Sequence, residues 1–236
     1  MHITEKVAGV DGFLTDAEAS ILYRLALQAP ARKDGVILEI GSWKGKSTIC
    51  LASGSLLNSK MKVYAVDPHT GSEEHQQADK KVWTFDEFTK NIKDAKVSDF
   101  VSPVLKTSQD AAKEFKQPIQ LLFIDGDHSY EGVKTDFDLW FPKVVNGGVI
   151  AFHDTIGWQG PRRLVNQEVF RGRQFKNARF AGSITYATKV KENTRFDRLK
   201  NFYVLQLKHV TELANGVTLP RPLRRLGGRI VRSIQG

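Results

Sequence analysis

Cysteine is almost missing from this chain. Cys50 is the single one among 236 residues, so no internal disulfide framework is possible and a reducing compartment is expected. No window approaches the roughly 18 consecutive apolar residues that a membrane-spanning helix needs. The opening MHITEKVAG lacks the apolar core of a secretory leader, and cytoplasm is the expected location. Internal repeats and low-complexity stretches are also absent. Acids are missing after Glu212, while Arg221, Arg224, Arg225, Arg229 and Arg232 follow, so five of the nine net positive charges belong to a tail and the body is only mildly basic. No aromatic-basic array accompanies that charge, and a nucleic-acid partner is not expected.

What is present is an ordinary globular composition, 41% hydrophobic and 26% charged, and a length suited to one large α/β domain. Thr15 with Glu18 three residues on forms a capping-box pattern, followed by Ile21, Leu22, Leu25 and Ala26 at helical spacing. This defines a helical extension over 1–33. From Val36 short apolar runs alternate with amphipathic stretches. The runs are Val36 to Ile40, Val63 to Val66, Val101 to Leu105, Ile119 to Ile124 and Val149 to Phe152. Helices are predicted between them, over Lys46–Ser55, Asp79–Ala95, Gln109–Phe115 and Val133–Phe141. Five short strands separated by helices specify an open parallel sheet covered on both faces, with its strand C-termini along one ligand-binding edge. After Asp154 a helix is predicted over Arg162–Arg171. Two β-rich runs then follow, Arg179–Ala187 and Phe202–Leu207, read as an antiparallel pair. The main domain is set at 34–212 and the basic tail at 213–236.

The first strand runs into Glu39-Ile-Gly41-Ser-Trp43-Lys-Gly45-Lys-Ser47-Thr48. A glycine-rich strand-to-helix turn lets a ligand approach the backbone closely. A dinucleotide fingerprint fails because position 43 is Trp. A phosphate-cradling P-loop is one residue short between Gly41 and Gly45-Lys46-Ser47, which shrinks the anion nest and misplaces Lys46. That nucleotide-hydrolase reading stays open as a rival, since Ile119 to Asp125 resembles a magnesium-holding strand. An acid–x–Gly–x–x–x–Gly turn matches without adjustment, with Glu39 suited to a cationic amino-acid group. The second strand ends in Asp67, an acid that can accept from both hydroxyls of a ribose, or cap a turn ahead of Pro68.

Taken together, VILEIGSWKGKSTICLA, VYAVDPHTG and LLFIDGDHSYEGVKTDFDLWFPKVVNGGVIAFHDT resemble the class I S-adenosylmethionine-dependent methyltransferases. The likeness is strongest to the branch with bacterial sugar and macrolide O-methyltransferases, and it spans roughly residues 34 to 190. It implies a Rossmann-like, mostly parallel seven-stranded sheet with an antiparallel C-terminal hairpin. It also implies S-adenosylmethionine as cofactor, with Glu39, Gly41, Ser42 and Gly45 at the methionine end, Asp67 on the ribose, Ser108 beside the adenine and Asp125 bordering the site. Ser108 reads equally well as a helix cap. The expected acceptor is a hydroxyl on a sugar, glycan or secondary metabolite. Nucleic-acid methylation is a weaker rival, suggested by the basic charge alone.

The fourth and fifth strands end in Asp125-Gly126-Asp127-His128 and His153-Asp154. Crowded carboxylates call for a cation, so Asp125, Asp127 and Asp154 are candidate ligands for Mg²⁺. Metal-dependent relatives carry an acid where this chain has His153, which weakens the metal reading or shifts it toward softer ions. His128 is the candidate general base, with Asp125 and His153 as further catalytic candidates; the alternative for His128 is a structural hydrogen bond or a helix cap. Trp158 is a candidate substrate wall and Trp140 a core residue. In the tail, Leu223, Leu226, Ile230 and Val231 face Arg224, Arg225, Arg229 and Arg232. That stripe is short and has no aromatic anchor, which favours packing on the domain or on a second subunit over an anionic membrane surface.

Overall fold

Strands that are buried at every position must lie in the middle of a sheet with helices on both faces. β1 (Val36–Ile40) and β4 (Ile119–Ile124) are buried throughout and pair with each other in parallel. The computed structural model describes residues 2–30, 32, 34–71 and 82–216. β2 (Val63–Val66) and β3 (Val101–Val104) extend the sheet on one side. β5 (Val144–Phe152), β6 (Phe175–Ala181) and β7 (Ile184–Lys189) extend it on the other. The spatial order is β3-β2-β1-β4-β5-β7-β6, with β7 antiparallel to both of its neighbours. The expected Rossmann-like sheet with an antiparallel C-terminal hairpin is therefore present. Strand order reverses between β1 and β4, and the crevice outside their C-terminal ends is where such sheets take ligands.

Alternate residues of each strand feed two apolar layers. Ile37, Leu121, Phe123 and Ala151 meet α1 (Ile3–Val7), α2 (Asp16–Gln28), α3 (Lys46–Leu56) and α4 (Phe85–Asp94). Leu38, Leu122, Ile124 and Phe152 meet α5 (Ser108–Glu114), α6 (Tyr130–Trp140), α7 (Gln159–Leu164) and α8 (Arg195–Gly216). Trp140 is fully buried in the second layer. The N-terminal helices belong to the first layer. Thr15 caps α2, and the predicted capping box with Glu18 forms.

Several expectations change. The Arg179–Ala187 run contains the hairpin by itself, because Gly182 and Ser183 turn β6 into β7. Phe202–Leu207 is not a strand but part of α8. Its apolar residues serve two opposite faces of a helix, so the stretch reads as an apolar run, interrupted by Gln206 alone, in which neither period stands out. The helix predicted over Asp79–Ala95 begins at Phe85, after Thr84 ties back to the His69 carbonyl; residues 79–81 lie outside the described region. α7 starts at Gln159 and widens into a π-helix over Val165–Phe170. α8 passes through the expected tail boundary at 213, and the tail from 217 onward lies outside the described residues. Among the described residues no helix is long and apolar enough to cross a membrane.

Candidate active site

The first half of the ligand edge is the turn from β1 into α3. Gly41 has φ +81, and a Cβ there would lie 2.0 Å from the Asp125 carbonyl oxygen, so only glycine lets the β1 and β4 exits approach this closely. Gly45 caps α3. Asp67 braces the turn: one carboxylate oxygen accepts from the Ser42 and Trp43 amides, each at 2.8 Å, and the other from the His69 amide at 2.6 Å. This brace holds Trp43 at φ +47 and His69 at φ +58, conformations that bulky residues rarely adopt.

Glu39 is wholly buried. Thr48 donates to its Oε2, and its Oε1 has no hydrogen-bond partner. Burial pushes the carboxyl up to about 8, against hydrogen bonds from Ser47 and Thr48. A ligand ammonium would restore its charge, so the pocket fits the cationic amino-acid end expected from the family resemblance. The same hydroxyl bears on the P-loop rival. Thr48 serves Glu39, and the Lys46 ammonium rests 3.3 Å from the Gly12 carbonyl. Ser108 is not the cap of α5, a role Thr107 takes; its hydroxyl accepts from the Trp140 indole at 2.8 Å.

The second half gathers charge at the ends of β4 and β5. The two strands pair through Ile124 and Phe152, which brings Asp125, His128, His153 and Asp154 together. His153 Nδ1 lies 3.0 Å from Asp125 Oδ1 and 3.1 Å from Asp154 Oδ2; His128 Nε2 lies 3.1 Å from the same Asp154 oxygen. The His153 contacts are close ionic approaches rather than aligned hydrogen bonds. Burial opposes a charge on His153, yet the surrounding carboxylates push it up to about 12. Asp154 is held far below the carboxylate range by the two histidines, against its own desolvation. Asp125 moves the other way, because burial outweighs His153. Asp154 adopts φ +54, a region that aspartate tolerates better than most residues.

Asp127 does not join this cluster. It is exposed and accepts from the Ser129 amide at 2.6 Å, while Ser129 caps α6. That leaves His128 without a capping task. The candidate metal set becomes Asp125, His128 and Asp154, whose donor atoms lie within 4.8 Å of one another. One nitrogen and two carboxylates suit a borderline divalent ion better than Mg²⁺. Beside His128 opens a groove of about 390 Å³, lined by Tyr130, Trp158, Gln159 and Arg163. Trp158 stacks on the His128 ring at 4.5 Å.

Glu18, named by the sequence only as part of a capping box, also belongs to the site. It is buried, and its Oε1 accepts from the Ser183 amide and hydroxyl at 2.6 and 2.7 Å. Its Oε2 accepts from Thr15 and lies 3.8 Å from His153 Nε2. Despite burial, these partners lower its carboxyl to about 2. The capping box was a readable signal; the second task was not, because it depends on the β6–β7 turn. Lys208 was also missed. Its side chain is fully buried, donating to the Thr155 carbonyl at 2.6 Å and to Glu212 at 3.0 Å, and thus fastens α8 next to Asp154.

Residues 38–155, half of the chain, match a family model described as a methyltransferase domain. Protein R132 of Acanthamoeba polyphaga mimivirus is 29% identical over 127 residues, which span 52% of this chain and 52% of that protein. The match therefore reaches about half of this relative's length. Among solved structures, the O-methyltransferase TomG from Streptomyces achromogenes, in complex with SAM, superposes with a TM-score of 0.58 at 17% identity, covering 80% of this chain and 86% of that one. An O-methyltransferase from Bacillus cereus, in complex with SAH, gives 0.56 at 24% identity, covering 79% and 90%. At these identities the structural likeness concerns the fold.

Proposed function

The chain belongs to the methyltransferase-domain family, and on that premise we propose that it methylates a hydroxyl of a small molecule or glycan, with S-adenosylmethionine as donor. When bound, that donor supplies a methyl group activated by a sulfonium. Glu39 offers a buried, unpartnered carboxylate oxygen to the amino-acid end, and Gly41, Ser42 and Gly45 shape the turn beneath it. Asp67 takes the ribose through lone pairs left over after its three amide bonds, and Ser108 lies toward the adenine.

The observation that carries the reading is the His128–Asp154 pair at the mouth of the groove beside Trp158. His128 removes the hydroxyl proton, and Asp154 orients the ring and stabilises the imidazolium formed. Asp125 and His153 set the charge around that pair. Methyl transfer otherwise rests on in-line positioning, which the two halves of the edge supply. Titration with S-adenosylmethionine, S-adenosylhomocysteine and ATP, followed by turnover on hydroxylated acceptors, tests the proposal. Binding of the first two and not of ATP is expected; ATP binding alone overturns it. His128→Ala is expected to lower kcat about a hundredfold or more and to flatten the acidic limb of the pH–rate profile.

A second reading draws on the Asp125–His128–Asp154 grouping, which would hold a divalent cation with His128 as a ligand instead of a base; such an ion would supply Lewis-acid activation of the acceptor hydroxyl. Turnover after rigorous chelation separates the two: full activity excludes the cation, and loss restored by one metal supports it.

A further inference from the structure

Helix α8 carries apolar side chains on two faces, and among the described residues only one face is covered. Asn201, Val204, Leu205 and Lys208 are buried against the body. Phe196, Leu199, Phe202, Tyr203, Val210 and Leu213 stand exposed, by 49% to 71%, and make up six of the eleven exposed large apolar side chains among the described residues. At about 100° per residue, those six fall in one stripe roughly 120° wide, opposite the packed face. Contiguous exposure of this kind marks an interaction surface.

Charge around the stripe decides what fits it. Exposed Arg195 and Lys200 lie in or beside it, and the Lys200 ammonium sits 4.4 Å over the Phe196 ring. The acids of the helix are engaged elsewhere: Asp197 accepts from Thr194 at the helix start, and Glu212 is held by Lys208 and Arg162. A second copy docked on this face would bring cations against cations. The sequence after Leu213 brings no counter-charge to this face, since it has five arginines and no acid. An anionic surface suits the stripe and the cations beside it.

We propose that the outer face of α8 docks on an anionic lipid surface. Its aromatic and aliphatic side chains enter the headgroup region, and Arg195 and Lys200 beside them meet the phosphates.

The test is co-sedimentation of the full chain with vesicles of phosphatidylcholine alone and with about 30 mole per cent phosphatidylglycerol, together with light scattering of the free protein. Binding to the anionic vesicles only, weakened by salt, is expected. Leu199→Glu combined with Val210→Glu should lower the partition about tenfold or more while leaving the melting temperature unchanged, because both positions face solvent. Arg195→Glu with Lys200→Glu gives an independent variant and should weaken binding in the same direction. The proposal is overturned by absence of binding, or by full binding of the Leu199/Val210 variant, which would assign attraction to the tail alone. A dimer that this variant converts to monomer assigns the face to a second copy and overturns it as well.

Discussion

The two halves of the ligand edge handle buried charge in opposite ways. At the end of β1, Glu39 is sealed from water with one oxygen unpartnered, and burial keeps it neutral near pH 7. At the ends of β4 and β5, Asp125, His128, His153 and Asp154 crowd together, Glu18 of α2 joins them, and His153 sits among the three carboxylates and supplies a counter-charge. On the proposed reading, the cationic end of the donor completes the first half, while the second carries its cation within the chain. The difference shows that one fold can leave a buried carboxyl unsatisfied where a ligand would offset its cost and balance its other buried acids internally.

The sharpest way to break this contrast is to remove the internal cation. His153→Ala leaves three carboxylates facing one another and should cost about 3–5 kcal/mol, read by denaturant unfolding, with loss of activity. Unchanged stability would show that the cluster is neutralised by another route. Next in size is Gly41→Ala, in which the new Cβ collides with the Asp125 carbonyl and the positive φ adds strain of about 1–3 kcal/mol. Calorimetry should show weakened donor binding along with the lower stability, because both halves meet at this contact.

Glu39→Gln should act the other way. Below pH 4.5, where the native carboxyl is protonated in both states, the free protein keeps its stability within about 1 kcal/mol, while affinity for S-adenosylmethionine near neutral pH falls about tenfold or more by titration calorimetry. The pH dependence sharpens the comparison further. Glu39 has a raised folded pKa, so its relative contribution is favourable at low pH and is lost as pH rises from 4.5 toward 8. Stability of Glu39→Gln relative to the free native protein should therefore climb over that window. Glu18 has a lowered folded pKa, so its contribution is present above 4.5 and is lost as pH falls toward 2. His153 has a raised one, with stability present below 6.5 and lost as pH rises toward 12. Melting curves of Glu18→Gln should converge with those of the native protein at acid pH. The smallest effect belongs to Asp127→Asn, which stands outside the cluster; a change of less than about 0.5 kcal/mol is expected, and a large loss of metal binding would return Asp127 to the site.

Much of the sheet and half of the site were legible because they are local. Apolar runs ending in Glu39, Asp67, Asp125 and His153-Asp154 announce strand ends, and parallel topology puts strand ends on one edge. The sequence does not reveal which neighbours share a contact. Glu18 already explains itself as a helix cap, so nothing in its surroundings points to His153. Asp127 looks equivalent to Asp125 until the backbone turns it toward Ser129. α8 does not read as a helix because apolar side chains on both faces hide the helical period, the same property that leaves one stripe uncovered among the described residues.

The bond between Glu18 and Ser183 joins positions 165 residues apart. A chain emerging from the ribosome must therefore carry its α2 glutamate past nearly the whole sheet before the β6–β7 turn exists to receive it. The ionic cluster is accordingly among the last features to mature, and its closure is a slow, high-contact-order event. Nascent chains stalled before residue 183 should hold the donor cradle's elements without a finished acceptor side.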